Sequence, residues 1–156
     1  MSEKFLPFRM TTTLTFHHCE NKKALISPPY DVGMKEIVRV FPRLLVTGGF
    51  DVMRHPSGEY KVSFHRFWEV GKEWGYTMGA VLAASDASVH TYPESEYGSC
   101  YELELNLCYL TEDVVAKHGQ SITETNDLFY DWLDPDCSEC IDSQKRYFRA
   151  NREAAL

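Results

Sequence analysis

The feature that most constrains this chain is the run Tyr101-Glu-Leu-Glu-Leu-Asn-Leu-Cys-Tyr109. Side chains on a β-strand point alternately to two faces, so Tyr101, Leu103, Leu105, Leu107 and Tyr109 share one face. Glu102, Glu104, Asn106 and Cys108 share the other. The first face wants a core; the second is either wet or lines a site. Just upstream, the apolar run from Ala80 to Ala84 reaches Ser85, and a short alternating segment, Ala87 to Thr91, carries His90. A hydroxyl, an imidazole and a thiol therefore come from neighbouring strands.

The rest of the chain supplies more strands and a few helices. Thr11 to Phe16 reads as a first strand, with β-branched residues around Leu14 and Phe16. From Asp31, a suitable N-cap, Met34, Ile37, Val38 and Phe41 recur at helical spacing, and Pro42 is expected to stop that helix. Gly48 and Gly49 punctuate before a strand over Phe50 to His55, and Pro56-Ser-Gly58 turns into a strand over Glu59 to Phe67. Trp68 to Gly75 reads as a loop and Tyr76 to Ala84 as a further strand. Thr111-Glu-Asp opens a helix that Gly119 is expected to close; Thr123 to Leu133 forms another, and Lys145 to Arg152 a final solvated helix. Together these predict an α+β fold, a two-layer sandwich of a mainly antiparallel sheet with helices on one face.

Charge and cysteines narrow the function. A formal charge of −7 argues against nucleic acid or an anionic membrane as partner, because phosphate binding rests on Lys and Arg. No run approaches the ~18 apolar residues of a membrane span, and the N-terminus has no signal-peptide core, so a cytoplasmic protein is expected. The 5 cysteines then read as thiols and not as a disulfide frame. Cys137-Ser-Glu-Cys140 is a lone C-x-x-C, and His17, His18, Cys19 and Glu20 alternate between faces of a strand end. Neither makes a metal site on sequence grounds, and none is expected.

The segment Ala84-Ser-Asp-Ala-Ser-Val-His-Thr-Tyr-Pro-Glu94, followed by Tyr97-Gly98, Glu104 and Cys108, resembles the hallmark of the small prokaryotic-type S-adenosylmethionine decarboxylases. That hallmark reads Glu-Ser-His-x-Ser/Thr-Ile-His-Thr-Trp-Pro-Glu. His65-Arg-Phe67 and Gly75-Tyr-Thr77 look like two further segments of that family. The resemblance spans roughly Thr11 to Gly119, so residues 1–119 read as the decarboxylase-like domain and 120–156 as a C-terminal extension.

The resemblance implies a chain that makes its own cofactor, a pyruvoyl group formed from Ser85 by autocatalytic cleavage after Ala84. It makes Ser85 the cleavage serine, His90 the processing histidine, Thr77 the assisting hydroxyl and Cys108 the acid that reprotonates the product; Cys100 is the rival thiol. Phe67 and Tyr92 would stack on adenine and Glu94 would hold the ribose. The pyruvoyl group would engage the amine of S-adenosylmethionine as a Schiff base, for polyamine (spermidine) biosynthesis, in a homodimer with sites between subunits. This chain departs from the hallmark at Ala84, where the family has Glu, and at Asp86, where it has His. Two alternatives follow from those departures: a pyruvoyl enzyme for ornithine or arginine, with Asp86 pairing the substrate cation, or an unprocessed, non-catalytic homologue that binds a nucleoside-like ligand or a protein partner.

Overall fold

The computed structural model describes residues 9–19, 30–67, 75–92, 100–108, 112–141 and 146–150. In chain order these form β1 (Arg9–His17), α1 (Tyr30–Thr47), β2 (Val62–Phe67), β3 (Gly75–Leu82), β4 (Ser85–Tyr92), β5 (Cys100–Cys108), α2 (Glu112–Leu133), β6 (Cys137–Ile141) and β7 (Arg146–Ala150). All seven strands join one antiparallel sheet in the order β2-β3-β4-β5-β1-β6-β7. The expected α+β sandwich is the fold observed.

Alternation decides which face is covered. Leu14 and Phe16 of β1, Tyr76 and Met78 of β3, Val89 of β4 and Tyr101, Leu103, Leu105 and Leu107 of β5 are buried together with Ile37, Phe41 and Leu45 of α1 and Phe129 and Leu133 of α2. Phe129 sits at the centre, with ring centroids 6.1 Å from Phe41, 6.4 Å from Phe16 and 5.9 Å from Tyr101. Each such side chain taken out of water contributes about 1.5–3 kcal/mol. Both helices lie on this face. The other face carries Thr13, Thr15, Thr77, Ser88, His90, Glu102, Glu104 and Asn106, all partly exposed, and no helix among the described residues covers it.

Several expected boundaries move. Pro42 lies inside α1, which runs on to Thr47, because burying Leu45 outweighs the backbone hydrogen bond that Pro42 lacks. The helix ends instead at Gly48-Gly49. Gly49 takes φ +102°, its N–H donates to the Val46 carbonyl at 3.0 Å, and the Phe50 N–H donates to the Leu45 carbonyl at 2.9 Å. This is a Schellman termination, with Phe50 and Leu45 both in the core. Residues 50–55 make only isolated bridges, Val52 to Leu82 and Arg54 to Tyr60, where a strand was expected.

Gly119 does not close a helix. It lies inside α2, where a Cβ would meet nothing within 4 Å, and the buried Ile122, Phe129 and Leu133 carry the helix through it. The segment expected as a last helix contains β7, paired with β6, so the chain beyond residue 120 completes the sheet. The expected loop at 68–74, the Tyr97-Gly98 turn and Tyr109 lie outside the described residues.

Candidate functional site

Ser85 follows a two-residue turn, Ala83-Ala84, that joins β3 to β4, with Leu82 paired to Ser85. Tight hairpins need positive φ somewhere, and glycine or asparagine normally supplies it. Here both turn residues are alanine and keep negative φ, while Ser85 takes φ +147°. A side chain rarely adopts that conformation, so strain of about 1–3 kcal/mol sits on the Ala84–Ser85 linkage.

The groups around that linkage are ordered by the β4–β5 register. Ser85 pairs with Leu107 and Asp86 with Asn106. The Ser85 hydroxyl donates to Asp86 Oδ1 at 3.1 Å, and Asn106 Nδ2 donates to Asp86 Oδ2 and to Glu104 Oε1, each at 3.1 Å. Thr11 of β1 completes the row by donating to Asn106 Oδ1 at 2.9 Å. The Cys108 backbone N–H donates to the Ala84 carbonyl at 2.9 Å, which polarises the carbonyl preceding Ser85 and is placed to hold negative charge on its oxygen. The Cys108 side chain is exposed. Beside this cluster a shallow groove of about 440 Å3 is lined by Ser63, Gly79, Val81, Asp86 and Ser88.

A second cluster lies at the far end of the same face. Thr77 of β3 pairs with His90 of β4, with Thr77 Oγ1 and His90 Nδ1 3.0 Å apart, so the threonine holds the ring's orientation. Glu102 is the β5 partner of His90. One row further, Phe67 pairs with Gly75, and extending the β3–β4 register by two residues places Gly75 opposite Tyr92. Positions 67 and 92 thus flank a glycine, their Cα atoms about 9–10 Å apart across two strand spacings. Tyr92 is 48% exposed, and burial, with Glu102 and Cys100 nearby, raises its hydroxyl pKa. Cys100, the rival thiol, belongs to this end and is buried, which pushes its pKa up to about 11.

The predicted residues therefore divide. Ser85, Asp86 and Cys108 come together, and Thr77, His90 and Tyr92 come together. From Ser85 to His90 the strand advances about 16 Å at ~3.3 Å per residue, so His90 does not reach Ser85 within one chain. Glu94 and the side chain of Phe67 lie outside the described residues. Glu104 and Asn106, from the polar face of β5, join the Ser85 cluster, and Thr11 of β1 joins it unanticipated. The signal for Glu104 and Asn106 was the even-numbered face of β5, but only the register assigns Asn106 to Asp86 and Thr11 to Asn106.

No group of His, Cys, Asp and Glu among the described residues is arranged to hold a metal ion, and no helix there is long and apolar enough to cross a membrane. His17 pairs with Cys100 on one side and Cys137 on the other, while Cys19 turns into the core beneath Tyr101.

A seven-stranded sheet with one helix-covered face, and a strained serine where an Ala-Ala hairpin meets its open face, defines an α+β sandwich. Across 99% of this chain and 98% of the other, the structure aligns with the adenosylmethionine decarboxylase from Aquifex aeolicus at 14% identity and a TM-score of 0.51, which establishes the shared fold. The S-adenosylmethionine decarboxylase family model matches residues 54–101, from the hairpin before β2 into β5. Two weaker alignments are also found. A Trypanosoma brucei AdoMetDC monomer aligns at 15% identity and TM-score 0.47, over 85% of this chain and 45% of that one. The toxic C-terminal tip of CdiA from Pseudomonas aeruginosa, in complex with its immune protein, gives 9% and 0.46, over 96% of this chain and 99% of that one. No curated protein matches the sequence.

Proposed function

We propose that this protein cleaves itself before Ser85 and then decarboxylates S-adenosylmethionine. The observation that carries this reading is the Ala84–Ser85 linkage: positive φ at Ser85, and the preceding carbonyl held by the Cys108 N–H. For the acyl shift, Ser85 Oγ adds to the Ala84 carbonyl carbon while its proton passes to Asp86, which already accepts that hydroxyl's hydrogen bond. The developing oxyanion is held by the Cys108 N–H; the Ala84–Ser85 C–N bond then breaks as the nitrogen receives the proton held by Asp86, leaving an ester at Ser85 Oγ and a free amine on its Cα. Asp86 so serves as the proton acceptor nearest the Ser85 hydroxyl, while Asn106 orients it. These residues fit formation of a pyruvoyl group at position 85, which supplies an electrophilic carbonyl and electron sink for loss of carbon dioxide from an α-amino acid.

The second cluster supplies what Ser85 lacks. Two copies packing their open faces about a two-fold axis would bring Thr77 and His90 of each toward Ser85 and Cys108 of the other, making two equivalent sites. Positions 67 and 92, separated by a glycine, suit a flat ring held between two aromatic side chains. Asp86 is committed through both oxygens to Ser85 and Asn106, which favours S-adenosylmethionine over ornithine or arginine, where Asp86 would instead pair the substrate's cation.

Carbon dioxide released from carboxyl-labelled S-adenosylmethionine, ornithine and arginine tests the substrate. Release from S-adenosylmethionine is expected; release only from a basic amino acid, or from none, rejects this reading. Mixing tests the shared site. Ser85→Ala and His90→Ala are each expected to be inactive alone, and co-expression restores activity if His90 serves the other subunit. No restoration would refute the shared site.

A further inference from the structure

A groove of about 520 Å3 lies between α1 and the 52–62 hairpin, away from both clusters: Thr77, Ser85, Asp86, His90 and Cys108 do not line it. In a protein of net charge −7 its walls are cationic. Lys35, Arg39 and Arg43 recur every four residues along α1, which places three cations on one helix face about 6 Å apart along the axis. Arg54 and His55 face them from the hairpin, and Glu59 is the single acidic residue lining the groove among the described residues.

Arg54 is pre-positioned. Its Nη1 donates to the Gly58 carbonyl at 2.8 Å, its Nη2 donates to the Tyr60 hydroxyl at 2.6 Å, and its guanidinium lies 4.0 Å over the Tyr60 ring. A guanidinium fixed in this way meets an oxyanion with little further loss of freedom. Four strong cations turned toward one space repel one another unless an anion enters.

The floor is apolar, formed by Val38, Pro42 and Val62. A bare inorganic anion would leave that floor unused. A long polyanion would run beyond the groove along a chain whose net charge is −7. The volume lies within the roughly 300–1,000 Å3 of small-molecule sites. We propose that this groove binds a nucleotide-sized organic phosphate, its phosphates on Arg39, Arg43 and Arg54 and its apolar body on the Val38, Pro42 and Val62 floor.

Titration calorimetry on the full chain with magnesium-free ATP, pyrophosphate and a single-stranded oligothymidine tests this. One ATP is expected per chain, weakening as salt rises. The double variant Arg39→Glu/Arg43→Glu, on the exposed side of α1, should keep the wild-type circular dichroism spectrum and lose at least tenfold in ATP affinity. Glu59→Gln should bind at least as tightly as wild type. Pyrophosphate should bind at least tenfold more weakly than ATP. The proposal is overturned if ATP gives no heat at millimolar concentration, or if the double variant binds ATP as wild type does, which would place the nucleotide elsewhere. It is likewise overturned if pyrophosphate equals ATP, or if the oligothymidine outcompetes it.

Discussion

Replacing Ser85 by glycine and by alanine isolates the backbone strain on which the cleavage reading rests. Both variants lose the hydroxyl and its 3.1 Å hydrogen bond to Asp86, and both remain full length, so they differ in backbone freedom and in tolerance of φ +147°. At an ordinary strand position glycine is the less stable of the pair by about 0.5–1 kcal/mol, because it loses more freedom on folding. At Ser85 alanine retains a strain of about 1–3 kcal/mol that glycine does not have. The difference reverses the usual sign: Ser85→Gly should be the more stable by about 1 kcal/mol, and by up to ~2. For a domain of this size that is a melting temperature higher by about 2–4 °C per kcal/mol. Urea titration and thermal melts of the two proteins, at one pH, measure it. If Ser85→Ala equals or exceeds Ser85→Gly, the linkage is not strained and the acyl shift gains no help from the backbone. Were all the strain released in the transition state, 1–3 kcal/mol would accelerate cleavage by about 5- to 150-fold.

Two further outcomes test the frame around the site. Gly48→Ala should destabilise by about 1–3 kcal/mol, since the added Cβ would overlap the Thr125 hydroxyl and come within 3.1 Å of the Thr125 Cα, forcing α1 and α2 apart; a melting temperature within a degree of wild type would refute that contact. Burial pushes the Cys19 thiol up to about 12 and Cys100 up to about 11, so at pH 9 a short exposure to iodoacetamide should modify exposed Cys108 before either, as read by peptide mass. The unfolded chain gives up those two protons near the ordinary value of 9.0 and the native chain only above it. The native state then binds more protons, so the stability present below pH 9 is lost as pH rises through 9 toward 11 and 12. A midpoint in urea that is constant over that range would contradict it.

The sheet was legible wherever one face is buried. In β5 the leucines announce the core without knowledge of any partner strand, and β1, β3 and β4 follow the same logic. Boundaries set by tertiary burial were not legible. Pro42 and Gly119 are local stop signals, but Leu45 in one case and Ile122 and Phe129 in the other make continuation the lower-energy choice. β7 was hidden because Lys145 to Arg152 reads as a solvated helix, and only its pairing with β6 makes the segment extended. For the site, alternation along the strands singled out Ser85, His90 and Cys108, and the family resemblance added Thr77. Register was beyond their reach: it assigns Thr77 to His90, ties Asp86 to Asn106, and sets Ser85 and His90 at opposite ends of one strand.

The intact mass of the purified wild-type protein tests the central claim most directly. A working Ser85 predicts two fragments, residues 1–84 ending at Ala84 and residues 85–156 with an N-terminus that carries a carbonyl in place of its amine, the nitrogen having left as ammonia. Ser85→Ala should remain a single chain, since no hydroxyl is left to attack. A wild-type protein that stays an unbroken chain of 156 residues after prolonged incubation would contradict the account and leave this fold without pyruvoyl chemistry.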